Sequence, residues 1–142
     1  MRLDYTQLSP KAYQGLLACK NALAESSLGL PLIELVYLRV AQLNGCVFCL
    51  KLHNHALRRR GESQDKLDMV GGWDVAEDGV FSPRERAALA WTEAVTRVAE
   101  SRAPDSLYQP LREHFSESEI SDLTLAIALM NAFTRIAVAV RQ

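Results

Sequence analysis

A chain of 142 residues with 49% hydrophobic composition is expected to form one domain over residues 1–142, burying about two-thirds of the surface its unfolded form exposes. Sixteen basic and seventeen acidic residues leave a net charge of -1, which supplies no general attraction to nucleic acid or to an anionic membrane, so neither is expected as a partner. Three cysteines, two of them close in sequence, exclude a disulfide framework. The opening MRLDYTQLSPKAY carries Asp4 and no apolar run, does not read as a secretory leader, and makes the cytoplasm the expected location.

Helical punctuation begins at Ser9-Pro10, where a capping serine precedes a proline at the first helical position. Ala12, Leu16, Cys19 and Leu23 then recur at helical spacing, which predicts a first helix of about sixteen residues. Pro31 opens a second helix through Leu32, Leu35, Val36, Leu38, Val40, Ala41 and Leu43, and Asn44-Gly45 supplies the glycine stop. A third is expected from Cys46 to Gly61, with Arg58, Arg59 and Arg60 in its last turn, where cations favour the helix dipole. Ser63 caps a short helix ending at Gly71-Gly72, and WDVAEDGVFSPR reads as a loop. Ser82-Pro83-Arg84-Glu85 is a capping box before the apolar face Ala87, Ala88, Trp91, Ala94, Val95 and Val98. A second capping box, Ser116 to Glu119, precedes the apolar stretch Leu123 to Val140. That stretch is long enough to raise the membrane question, but Thr124, Asn131, Thr134 and Arg135 interrupt it and favour a core or oligomer-facing helix. No segment shows sustained alternation, so the expected fold is an all-α bundle of about six to seven helices.

The third helix carries the chemistry. At about 100° per residue, Cys46, Cys49 and His53 fall within about 60° of one another around the axis, whereas His55 points roughly opposite Cys46. Burial on that face alone would raise a thiol pKa, but the unpaired N–H groups at the helix start and a histidine four residues after Cys49 both favour thiolate. Two sulfurs one turn apart can also close a disulfide without large backbone movement. A zinc site would need four ligands, and the remaining candidates are Cys19 on a buried stripe, His55 facing away and the isolated His114. No metal and no cofactor are therefore expected. Glu34 precedes Cys46 by eleven residues, and the hairpin implied at Asn44-Gly45 could fold it back toward His53 to orient the imidazole. Its bland alternative is a surface glutamate near a helix start.

The string Glu34, Cys46, Cys49, His53, together with FSPRERAALAWTEAVTRVAE and SESEISDLTLAIALMNAFTRIAVAVR, resembles the redox branch of the alkylhydroperoxidase D-like and carboxymuconolactone decarboxylase superfamily. The resemblance covers most of the chain from Leu30 onward. It implies an all-helical subunit in a trimer or hexamer, with a thiol peroxidase or related disulfide-exchange activity. By that resemblance Cys49 is the peroxide-attacking thiol, Cys46 the more accessible resolving thiol, and Glu34 with His53 the proton relay. Small hydroperoxides and an external dithiol reductant are the implied partners. The decarboxylase branch lacks the dithiol. Phe48 stands where relatives often have His or Tyr, so an auxiliary hydrogen-bond donor is missing there. A protein disulfide exchanger and a non-catalytic metal-binding or oligomeric module are the competing readings.

Overall fold

Prolines and capping serines set most of the helix starts. The computed structural model describes residues 1–142 and contains nine α-helices, with one isolated bridge, Asp78 to Phe81, outside them. In chain order these are α1 (Tyr5–Leu8), α2 (Pro10–Ala24), α3 (Leu30–Leu43), α4 (Val47–Arg59), α5 (Gln64–Met69), α6 (Pro83–Thr96), α7 (Val98–Ser101), α8 (Asp105–His114) and α9 (Glu117–Val140). A single 3-10 turn, Val70–Gly72, extends α5. The all-α expectation holds, and six of the nine helices have ten residues or more.

Three elements differ from the sequence reading. The single turn α1, capped by the Asp4 side chain on the Thr6 N–H, carries no apolar period that could announce it. Helix α8 follows Pro104 and contains Pro110, a residue that normally marks a helix end. Third, the helix opened by Ser82 stops at Thr96, so Val98 begins a separate turn and is 54% exposed instead of lying on the α6 core face.

The centre of the molecule is α3, which has nine buried residues and packs against α4, α6 and α9. Its Val36, Tyr37 and Val40 join residues of α2, α6, α8 and α9 in the main core. Leu35 and Leu38 face a smaller core with Leu57, Leu67, Val70, Phe81 and Leu89. Helix α9 is long and apolar enough to cross a membrane, yet its Leu123, Ala126, Ile127 and Met130 are packed in the main core. Two of its polar interruptions, Asn131 and Thr134, are used internally. Asn131 is 4% exposed and Thr134 fully buried, while Ser121, Leu125, Ala128 and Arg135 form an exposed stripe on the side away from the main core.

Candidate active site

The turn between α3 and α4 is built from three consecutive residues, Asn44, Gly45 and Cys46. Gly45 has φ +63, the left-handed geometry in which glycine is free of strain, and its N–H donates to Gln42 O while the Cys46 N–H donates to Ala41 O. Cys46 thus completes the end of α3 and is also the N-cap of α4, its sulfur accepting from the Cys49 N–H at 3.3 Å. One residue ties both helices to the site.

Cys46 and Cys49 are joined as a disulfide, with their Cα atoms 5.3 Å apart. Both are buried against Ala41 and Ala137. In the oxidised chain both are buried, Cys46 at 2% and Cys49 at 4% exposed. Cys46 does form part of the wall of a small cleft of about 130 Å³, with Gly45, Phe48, Ala137, Val138 and Arg141 around it. Phe48 is 44% exposed at that cleft.

One turn along α4 from Cys49, His53 is 2% exposed, and its Nδ1 donates to Glu34 Oε2 at 2.7 Å. With an ionised carboxylate as acceptor, that contact assigns the imidazole proton to Nδ1 and leaves Nε2 as the nitrogen able to exchange a proton. Glu34 is 9% exposed, so it is not the surface glutamate of the bland reading. The α3–α4 hairpin brings Glu34 and His53 together and places them on the same buried side as the two sulfurs. His55 is exposed on the outer face of α4. Cys19 is a free thiol on α2, half-buried rather than buried, at the edge of the main core. No three His, Cys, Asp or Glu side chains converge in the way a metal site requires.

Two features of the site escaped the sequence reading. The first is Tyr37, one turn after Glu34 on α3, whose ring lies 5.3 Å from the His53 ring and whose buried hydroxyl has no hydrogen-bond partner. Burial pushes its phenol pKa up, with the nearby Glu34 charge and, less, Cys19 acting in the same direction. The second is a polar network behind the dithiol turn. Asn44 Nδ2 donates to Asn131 Oδ1 (2.9 Å) and Thr134 Oγ1 (2.8 Å), and Asn131 Nδ2 donates to Thr96 Oγ1 (3.1 Å) and Ile127 O (3.0 Å). The polar residues breaking up α9 were the available signal.

The model of the carboxymuconolactone decarboxylase family matches residues 10–94. The uncharacterized protein YdfG of Bacillus subtilis is 33% identical over 138 residues, covering 97% of this chain and 92% of its own. A crystal structure of ATU0492 from Agrobacterium tumefaciens superimposes with a TM-score of 0.94 at 38% identity, covering 99% of this chain and 95% of that one. That protein is described as of unknown function and as a candidate antioxidant defence protein AhpD. An uncharacterized peroxidase-related protein from Silicibacter sp. TM1040 matches with a TM-score of 0.78 at 25% identity, over 91% of this chain and 68% of that one.

Proposed function

The chain belongs to the carboxymuconolactone decarboxylase family, and from that premise we propose that it is a thiol-dependent hydroperoxide reductase cycling between Cys46–Cys49 dithiol and disulfide. The observation that carries the reading is the disulfide at the start of α4 with the Glu34–His53 pair one turn further on. The relatives named for antioxidant defence and as peroxidase-related support the same chemistry.

In the proposed cycle the Cys49 thiol gives its proton to His53 Nε2, and the resulting thiolate attacks the terminal oxygen of a hydroperoxide. The O–O bond breaks, Cys49 becomes a sulfenic acid, and the departing alkoxide takes a proton from His53 to leave as alcohol, or as water when the substrate is hydrogen peroxide. Cys46, giving its proton to the His53–Glu34 pair, then attacks the Cys49 sulfur. The S–S bond forms as the S–OH bond breaks, and the departing hydroxide takes that proton back from the pair to leave as water. An external dithiol returns the two electrons. His53 suits the relay because its Nδ1 is held by Glu34, which fixes the orientation of the ring and leaves Nε2 as the exchanging nitrogen. Cys49 is assigned the attacking role for its place one turn before His53 on α4.

The same reading places the protein in the cytoplasm and in a homo-oligomer, a trimer or hexamer, joined through the exposed stripe of α9 around Leu125 and Ala128. Sedimentation measurements check the assembly. The chemistry is tested by peroxide consumption and thiol trapping in wild type, Cys46→Ser and Cys49→Ser. The expected result is complete loss in Cys49→Ser and a trapped sulfenic acid in Cys46→Ser. Cys46 and Cys49 remaining free thiols after stoichiometric peroxide would overturn it. Glu34→Gln and His53→Ala are expected to slow peroxide reduction by about 10²- to 10⁴-fold with the disulfide still able to form.

A disulfide exchanger acting on protein partners is the second reading, favoured by the apolar cleft against Cys46. Fast reduction of protein disulfides with negligible peroxide turnover would select it.

A further inference from the structure

Between Glu34 and Glu62 the chain holds Arg39, Lys51, Arg58, Arg59 and Arg60 and no acid, although acids outnumber bases overall. The near-neutral total hides this segregation. Arg39 is committed to Glu93 at 2.6 Å. The other four are exposed, and none of them enters an ion pair. The dipole of α4 accounts for cations in its last turn but not for Lys51 in its second, and three successive arginines repel one another.

The placement of these cations is specific. By helical geometry Lys51, His55, Arg58 and Arg59 share the outer face of α4, opposite Cys49, His53 and Leu57. Shallow clefts flank His55, one with Lys51 and Arg58 in its wall and the other with Arg59 and Arg60. Nearer the start of the helix the same face turns apolar, with Val47, Phe48 and Leu52 exposed by 63%, 44% and 46%. That apolar end borders the cleft against Cys46. One helix therefore presents, in order, a disulfide sulfur, an apolar contact and a line of unpaired cations.

We propose that the outer face of α4 is the docking surface for the protein that reduces the Cys46–Cys49 disulfide, and that this partner carries its dithiol beside an acidic surface. The inference rests on the reading of Cys46–Cys49 as the working couple. One partner thiolate attacks Cys46 Sγ, the Cys46–Cys49 bond breaks, and Cys49 leaves as thiolate one turn before His53 on α4. The second partner thiol, deprotonated, attacks its neighbour's sulfur in the mixed disulfide and displaces Cys46 as thiolate. The partner ends oxidised by two electrons, and its two thiol protons reprotonate Cys46 and Cys49. The cations raise the encounter rate, and Val47, Phe48 and Leu52 are covered on contact. A second copy of the chain also has exposed acids to offer, at Asp74, Glu77 and Asp78. Seated on α4, however, it would close the cleft through which the sulfur is reached.

The test uses three reductants on the oxidised protein: dithiothreitol, and two synthetic dithiol peptides with the same Cys-x-x-Cys core, one flanked by glutamates and one by lysines. Reduction rates are followed at about 0.01 M and about 0.3 M salt, where the screening lengths differ several-fold. The acidic peptide is expected to react at least about tenfold faster than the basic one at low salt, with the two converging at high salt. Joint replacement Lys51→Glu, Arg58→Glu and Arg59→Glu is expected to reverse that preference and leave the dithiothreitol rate unchanged. Equal peptide rates, or a preference that survives the replacement, would overturn the proposal. So would a change in sedimentation on replacement, which gives the face to a second copy. Loss of peroxide-driven re-oxidation with the peptide preference intact would remove the peroxide reading and keep the docking surface.

Discussion

Tyr37 is where burial and polarity conflict most sharply at this site. Its side chain is 2% exposed against the His53 ring, and its hydroxyl donates to nothing. An unpartnered buried hydroxyl costs about 1–3 kcal/mol relative to one that is bonded. Tyr37→Phe keeps the ring and removes that penalty, so it is expected to raise stability by about 1 kcal/mol, read from the urea midpoint. The phenol pKa is raised in the folded chain, by burial first and by Glu34 second. The folded state therefore holds this proton longer than the unfolded state, whose phenol titrates near pH ~10. Stability from this source is complete below that value and falls as pH climbs toward the folded pKa. The advantage of the Phe variant should widen in alkali, and a constant gap would count against the assignment. No local pattern marks Tyr37, because an aromatic in an apolar helix reads as core. Only its position one turn after Glu34 placed it on the same face.

Among the elements, the α3–α4 turn shows why some boundaries are legible in a sequence and others are not. Asn44-Gly45 ends α3 because Gly45 must be left-handed, and Cys46 can then cap the next helix. A methyl group at Gly45 meets nothing within 4 Å, so Gly45→Ala isolates the backbone effect. It is expected to destabilise by about 1–2 kcal/mol, measured by thermal or urea unfolding, without a clash. The capping boxes at Ser82–Glu85 and Ser116–Glu119 form as their spacing predicts, with both reciprocal bonds present. Each such signal is local, spans no more than four residues and is set by backbone donors. The break after Thr96 is different. It depends on Ser101 Oγ reaching Ala94 O and on left-handed Arg102 and Ala103, none of which a period of apolar residues reveals. Helix α8 escaped for the opposite reason: Pro110 lies inside it while the packing of Leu111 keeps the segment helical.

At the scale of the whole molecule, the dithiol turn is tied to the far end of the chain. Asn44 and Asn131 are separated by 87 positions, yet one hydrogen bond joins them and a second reaches Thr134. Local sequence patterns carry no information about such a pairing, although Glu34, eleven residues before Cys46, was close enough for a hairpin to suggest its contact with His53. Asn131→Ala leaves the Thr96 hydroxyl and one Asn44 bond unmade, and is expected to cost about 1–3 kcal/mol. Its thermal midpoint should fall by several degrees, and an unchanged midpoint would show that the network contributes little.

Glu34, Cys46, Cys49 and His53 all lie on one helical hairpin, α3 and α4, which makes them look like a portable cassette. They are not portable. The remaining surface of α3 is buried against α6 and α9, so a transplanted hairpin would arrive with two raw apolar flanks and without the α9 side chains that brace its turn. A host able to accept this dithiol would need two helices already positioned to receive α3, which restricts grafting to scaffolds that share this core.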